Sequence, residues 1–113
     1  MNIQKEISMH IEVSTDNSIE GSEALNSLIR GLVVSELARL DYHLTRIEVH
    51  LSKARSASTG QEEMHCVIEG RLKGRKPVVA NDTATTLEKA AKGAAGKLKS
   101  SLDSTLGKLS DNR

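Results

Sequence analysis

The residues of this 113-residue chain best suited to chemistry are cations, and the chemistry they suit is the neutralisation of phosphate. Arg71, Lys73, Arg75 and Lys76 crowd the short stretch Arg71-Leu-Lys-Gly-Arg-Lys76. Downstream, Leu87, Ala91, Ala94, Leu98, Leu102 and Leu109 recur at helical spacing, and Lys89, Lys92, Lys97 and Lys99 fall off that stripe. A single lysine on a helix exterior is ordinarily just a solvated group. A basic turn beside a lysine-bearing helix is a surface, positive outside and apolar beneath, and its natural partner is a polyanion. If several of these cations meet phosphates, affinity falls with salt by a slope of about −0.7 to −0.9 per contact.

Other chemistries find no support. His10, His50 and His65 fall on the polar side of their strands, with no Cys-x-x-Cys or His-x-x-x-His spacing, so they read as solvent-facing and no metal site is expected. The lone Cys66 points the other way and reads as a small buried hydrophobe. No nucleophile elbow, P-loop or dinucleotide fingerprint is present, so neither an enzyme nor a bound cofactor is expected. One Tyr, no Phe and no Trp exclude a sheet that grips single strands by aromatic stacking. Recognition by shape and backbone, usual for structured RNA, remains.

The formal net charge of +1 conceals an asymmetry. Up to Thr45 the bases Lys5, Arg30 and Arg39 face seven acids, whereas from Arg71 to Lys108 nine bases face Asp82, Glu88 and Asp103. A single cysteine fits a reducing compartment. The start lacks a basic-then-apolar leader, and no apolar run approaches the ~20 residues of a membrane span. A cytoplasmic protein without a membrane partner is expected.

The elements that must position the cations follow from periodicity. Ile7, Met9, Ile11 and Val13 alternate with polar residues and predict a strand. Ser22 is the expected N-cap of a helix running to about His43, carrying Leu25, Leu28, Ile29, Leu32, Leu37 and Leu40, with Gly31 costing ~1 kcal/mol inside it. Ile47, Val49 and Leu51 predict a second strand. Lys53–Gln61 reads as a mobile connection, and Met64, Cys66, Ile68 and Leu72 predict a third strand. After a turn at Lys73–Pro77, Val78–Ala80 predicts a short fourth strand, and Asp82 is the expected cap of the last helix. Gly93 and Gly96 project from that helix's outer face, marking either a close backbone approach or a locally weak helix. The order is β-α-β-β-β-α, an α+β fold with two helices on one face of a four-stranded sheet. Residues 1–113 form one domain, its ordered core about 5–109, with Ser110 to Arg113 fraying.

Three stretches resemble a known family, the short ribosome hibernation promoting factors and ribosome-associated inhibitor A. Ser22-Glu-Ala-Leu25 is similar to the Thr-Glu-Ala-Leu that opens the family's first helix. Leu40-Asp-Tyr-His-Leu-Thr-Arg-Ile47 resembles its helix end and the start of its second strand. The short strand running into Asp82, followed by Leu87-Glu88, resembles an Asp with a later Ile-Asp pair. The likeness spans Ile7 to Leu102 and is carried by the order and spacing of these motifs. Thr83-Ala84 departs from the family's Met-Tyr, and Gly93 stands where a lysine is common, with Lys92 beside it.

The resemblance implies a factor that occupies the decoding channel of the small ribosomal subunit, on ribosomal RNA, and silences translation under stress. It places Arg39 at a basic position late in the first helix. The expected RNA-binding set is therefore Arg39, Arg71, Lys73, Arg75, Lys76, Lys89, Lys92, Lys97 and Lys99, in a monomer or weak homo-oligomer with no small-molecule substrate. An alternative keeps the fold as a protein-interaction module that no longer binds the ribosome, using the open sheet face of His10, Glu12, Glu48, His50, Glu69 and Arg71.

Overall fold

The computed structural model describes residues 9–111, with side chains through Lys108. Strand β1 (His10–Thr15) leads to helix α1 (Glu23–Leu37), which tightens into a 3₁₀ segment (Ala38–His43). Strands β2 (Leu44–Arg55), β3 (Glu62–Leu72) and β4 (Val78–Ala84) follow, and helix α2 (Leu87–Asp111) closes the order β-α-β-β-β-α. The sheet runs β1-β2-β3-β4, with β1 parallel to β2 and the other pairs antiparallel. Both helices cover the same face, as the pattern predicts, and pack against each other.

Several local expectations hold for the expected reasons. Ser22 has extended backbone and its hydroxyl accepts the Leu25 N–H at 3.0 Å, so it caps α1. Ile11, Ile47, Val49, Leu51, Cys66, Ile68 and Leu72 are buried on the helix-covered face. The part of the first strand at Ile7 and Ser8 lies outside the described residues.

Other boundaries move. The α-helix ends at Leu37 rather than near His43, because the last six residues adopt i→i+3 geometry. Its buried line is Ile29, Val33 and Leu37, spaced by four, while Leu28 is 44 % exposed. The connection expected over Lys53–Gln61 is mostly sheet: β2 continues to Arg55, opposite Glu62, and the chain reverses over Ser56–Gln61. There Gly60, at φ +71°, donates to Ser56 O at 2.8 Å. Strand β4 runs through Ala84, which places Asp82 in the sheet. Thr86 caps α2 instead, its hydroxyl accepting the Lys89 N–H at 3.1 Å. Helix α2 continues without a break past Gly93 and Gly96 and includes Ser110 and Asp111, which were expected to fray.

The core explains how a chain nearly without aromatic residues closes its layers. Ala90, Ala91, Ala94 and Ala95 are fully buried where α2 meets the sheet, so the helix lies close to β3 and β4. Under it, Gly70 leaves space for Leu98: a Cβ at Gly70 would stand 3.0 Å from both Leu98 Cδ2 and Ile47 Cδ1. Small residues in the contact layer do by proximity what large rings do elsewhere by bulk.

Candidate nucleic-acid interface

Helix α2 runs antiparallel to β4, so its C-terminal end returns to the β3–β4 turn that carries the basic cluster. Leu106 lines a recess of about 170 Å³ there together with Tyr42, His43, Leu72, Lys73 and Arg75. The turn is held by Gly74 at φ +72° and by Arg75 N–H donating to Leu72 O at 3.0 Å. The 3₁₀ segment is tied to it through Lys73 N–H and His43 O at 2.9 Å. Lys73, Arg75 and Lys76 are all exposed.

The helix lysines do not share one face. Lys92 and Lys99 are seven residues apart, two turns on the same side of α2, and Asp103 continues that line. Asp103 accepts from Arg39 at 2.8 Å, so this stripe runs to the 3₁₀ segment and the basic end. Lys97 turns the other way: its ammonium lies 3.1 Å from Asp82 Oδ1 and donates to Asn81 O at 3.3 Å, covering the outer edge of β4. Lys89 sits in the first turn of α2, at the far end of the molecule from the basic turn, about 25 Å along the helix from Leu106 at 1.5 Å per residue.

Arg71 leaves the cluster altogether. It alternates with buried Gly70 and Leu72 and so points to the open face of the sheet, in one row with His10 and Arg46. The next row is Glu12, Glu48 and Glu69, with Arg46 bonded to Glu12 at 2.8 Å and 3.5 Å from Glu48. His10 contacts Glu12 and His50 contacts Ser14, and both are exposed on the open face as expected, whereas His65 is half-buried. Of the nine sequence-predicted cations, the fold gathers Arg39, Lys73, Arg75 and Lys76 at one end, with Lys99 and Lys92 on the flank leading away from it and Lys89 one turn beyond Lys92, and it separates Arg71 and Lys97.

Gly93 has a role the sequence misplaced. It faces β4, where a Cβ would lie 1.8 Å from Asp82 Oδ2. The glycine makes room for that carboxylate between helix and strand, so its space is taken by this chain's own side chain. Gly96 has no neighbouring atom within 4 Å of a Cβ and stays open. Asp82 also faces Cys66, its cross-strand partner. Burial, then the Asp82 charge, push the Cys66 thiol from an ordinary 9.0 up to about 12.

A thiol held neutral in this way should be inert: the native protein should resist a thiol-specific reagent at pH 8 and label rapidly once denatured. The sign of the linkage follows. The folded state keeps a proton that the unfolded chain releases above pH 9.0, so this contribution to stability is intact below that pH and declines as pH rises toward about 12. Replacing Cys66 by Ala should remove that part of the alkaline slope. Fast labelling of the native protein would contradict the burial. Among the described residues, no group of three or more His, Cys, Asp or Glu could hold a metal ion.

The family model of the sigma 54 modulation protein / S30EA ribosomal protein matches residues 8–110. The chain belongs to that family. Two solved structures of similar architecture are a ribosomal subunit interface protein from Coxiella burnetii and the N-terminal domain of Thermus thermophilus Protein Y. The first has a TM-score of 0.64 at 18 % identity, over 88 % of this chain and 99 % of that one, and bears on the fold alone. The second has a TM-score of 0.58 at 25 % identity, over 82 % of this chain and 94 % of that one. No curated protein matches the chain.

Within the S30EA framework the resemblance drawn from Ser22–Leu25, Leu40–Ile47 and the strand at Asp82 is borne out. What sequence inspection missed is Tyr42. It stands 77 % exposed at the basic end, with the Lys73 ammonium 4.8 Å from its ring centroid. The signal was present in the spacing Arg39-x-x-Tyr42, which eclipses on one face of a 3₁₀ turn. It is hidden when the segment is read as the end of an α-helix.

Proposed function

We propose that this chain is a non-enzymatic ribosome-associated factor of the cytoplasm that binds ribosomal RNA of the small subunit and silences translation by occupancy under stress. The partner is suggested by family membership. The observation that carries the binding face is the convergence of Arg39, Lys73, Arg75 and Lys76 at the end reached by the Lys92–Lys99 stripe. Positive groups on rigid elements can contact phosphates on a folded RNA without reading bases. The row Glu12, Glu48 and Glu69 on the opposite face repels the same phosphates, so charge favours one orientation.

Cosedimentation with purified small ribosomal subunits over a range of salt tests this. Binding should fall steeply with salt. Reversing Arg75, Lys76, Lys92 and Lys99 to Glu should weaken it and flatten the salt dependence by about 0.7–0.9 per phosphate contact removed. Arg71→Glu, on the open sheet face, should change it little. Absence of salt-sensitive binding by the unmodified protein would sink the proposal and favour the protein-interaction alternative, in which the open sheet face is the docking surface.

A further inference from the structure

We propose that Tyr42 is a one-sided stacking platform for an unpaired RNA base, with Lys73 and Arg75 engaging the phosphates that flank it. The inference rests on the RNA-binding reading above and narrows it from phosphates alone to one base position. A singly exposed apolar group is ordinary on any protein surface. This one differs in three respects.

It is the chain's sole aromatic residue besides histidine, placed at the basic end rather than in the core. Tyr42 is 77 % exposed even with the Lys73 ammonium 4.8 Å from its ring centroid, so most of its surface is open to solvent. The recess beside it is bordered by Lys73 and Arg75, where phosphates adjoining a stacked base would fall.

The platform is also rigid. Leu40, Asp41 and Leu44, on either side in sequence, are buried, and Asp41 Oδ1 accepts the Met9 N–H at 2.9 Å. Lys73 N–H bonds His43 O at 2.9 Å, and the His43 ring meets Tyr42 edge-on at 5.4 Å between centroids. A ring presented on a fixed backbone loses little freedom when a base covers it. Every base has a π-face, so such a site tolerates any sequence but requires that a base be present.

The chain holds one tyrosine and no tryptophan, so its intrinsic emission reports this ring alone. The whole protein is titrated with a single-stranded oligoribonucleotide and with an abasic oligomer of equal length and phosphate number. The base-bearing oligomer should quench the tyrosine and bind more tightly. Tyr42→Ala, followed by anisotropy of a labelled oligomer, should lose roughly five- to hundred-fold in affinity, the range that truncating a stacking aromatic produces, and fall to the abasic level. Tyr42→Phe should restore the discrimination. Tyr42 is largely exposed, and circular dichroism of each variant checks that the fold is kept.

Equal binding of the two oligomers by the unmodified protein, or unmodified behaviour of Tyr42→Ala, overturns the platform. Cosedimentation with small subunits separates this from the ribosome reading. Salt-sensitive sedimentation without base discrimination leaves the ribosome reading standing and removes the platform; base discrimination without sedimentation does the reverse.

Discussion

Truncating Leu98 to alanine should destabilise the domain by about 2–5 kcal/mol, the cost of removing a fully buried leucine from a packed site. Leu98 has no exposed surface and fills the space above Gly70 between α2 and the sheet. The surroundings can do little to replace it, because Ala94 and Ala95, one turn earlier on α2, are small and already buried and Gly70 has no side chain to extend. Against a total of 5–15 kcal/mol for typical domains, that is a large fraction. Thermal unfolding should show a drop of roughly 10 °C or more, since each kcal/mol moves the midpoint of a domain this size by about 4–8 °C. A coupled effect sharpens the test. Gly70→Ala alone should also destabilise, because its Cβ would press on Leu98 and Ile47 at 3.0 Å. In the Leu98→Ala background that second substitution should cost less, one of its two obstacles being gone. A Leu98→Ala midpoint within a degree or two of the parent would show that α2 is not seated as described.

The second large effect reverses a common rule. Gly→Ala in a helix normally stabilises by about 1 kcal/mol, yet Gly93→Ala should destabilise by about 1–3 kcal/mol, the usual range for overpacking. A Cβ 1.8 Å from Asp82 Oδ2 and 2.8 Å from its Cγ forces the carboxylate to rotate away from Lys97 or the helix to lift off β4. The Lys97 pair is exposed and contributes little by itself; the displacement is what costs. Removing the obstacle should restore the rule, so Gly93→Ala made in an Asp82→Ala protein should be neutral or stabilising by up to about 1 kcal/mol. The difference between the two backgrounds is a coupling free energy, measurable by denaturant unfolding of the four proteins. Additive effects would mean that Asp82 and Gly93 do not meet.

Most of the fold was legible in the residues because periodicity reports which face of an element is apolar. Ile11 and Val13, Ile47 to Leu51, and Met64 to Ile68 alternate as strands must, and Ile29 and Leu37 recur as a helix must. The misplaced boundaries lie where periodicity is silent. The tip of the β2–β3 hairpin, Lys53–Arg55 against Glu62–Met64, exposes Lys53, Arg55 and Glu62, and beyond Met64, which packs against the core, no large apolar side chain marks the pairing. Asp82 looked like a helix cap because carboxylates favour helix starts. The sheet continued past it because β4 has β3 beside it as far as the Met64–Ala84 pair.

The candidate site divides along the same line. Sequence by itself determined that the chain is an α+β domain whose cations concentrate after Arg71, and that its motifs resemble the hibernation factors, because composition, spacing and periodicity are local properties of the chain. Only the tertiary structure decided which cations share a surface. Arg71 and Lys73 are two residues apart and would share a face if the strand continued, yet β3 ends at Leu72 and the turn carries Lys73 back toward Tyr42. Arg39 and Asp103 are distant in the chain and bonded in space, while Gly93 is an open helix position in the sequence and a filled one in the fold. These are relations between elements, set by how close alanine-lined α2 settles on β4, and a linear pattern holds no record of that distance.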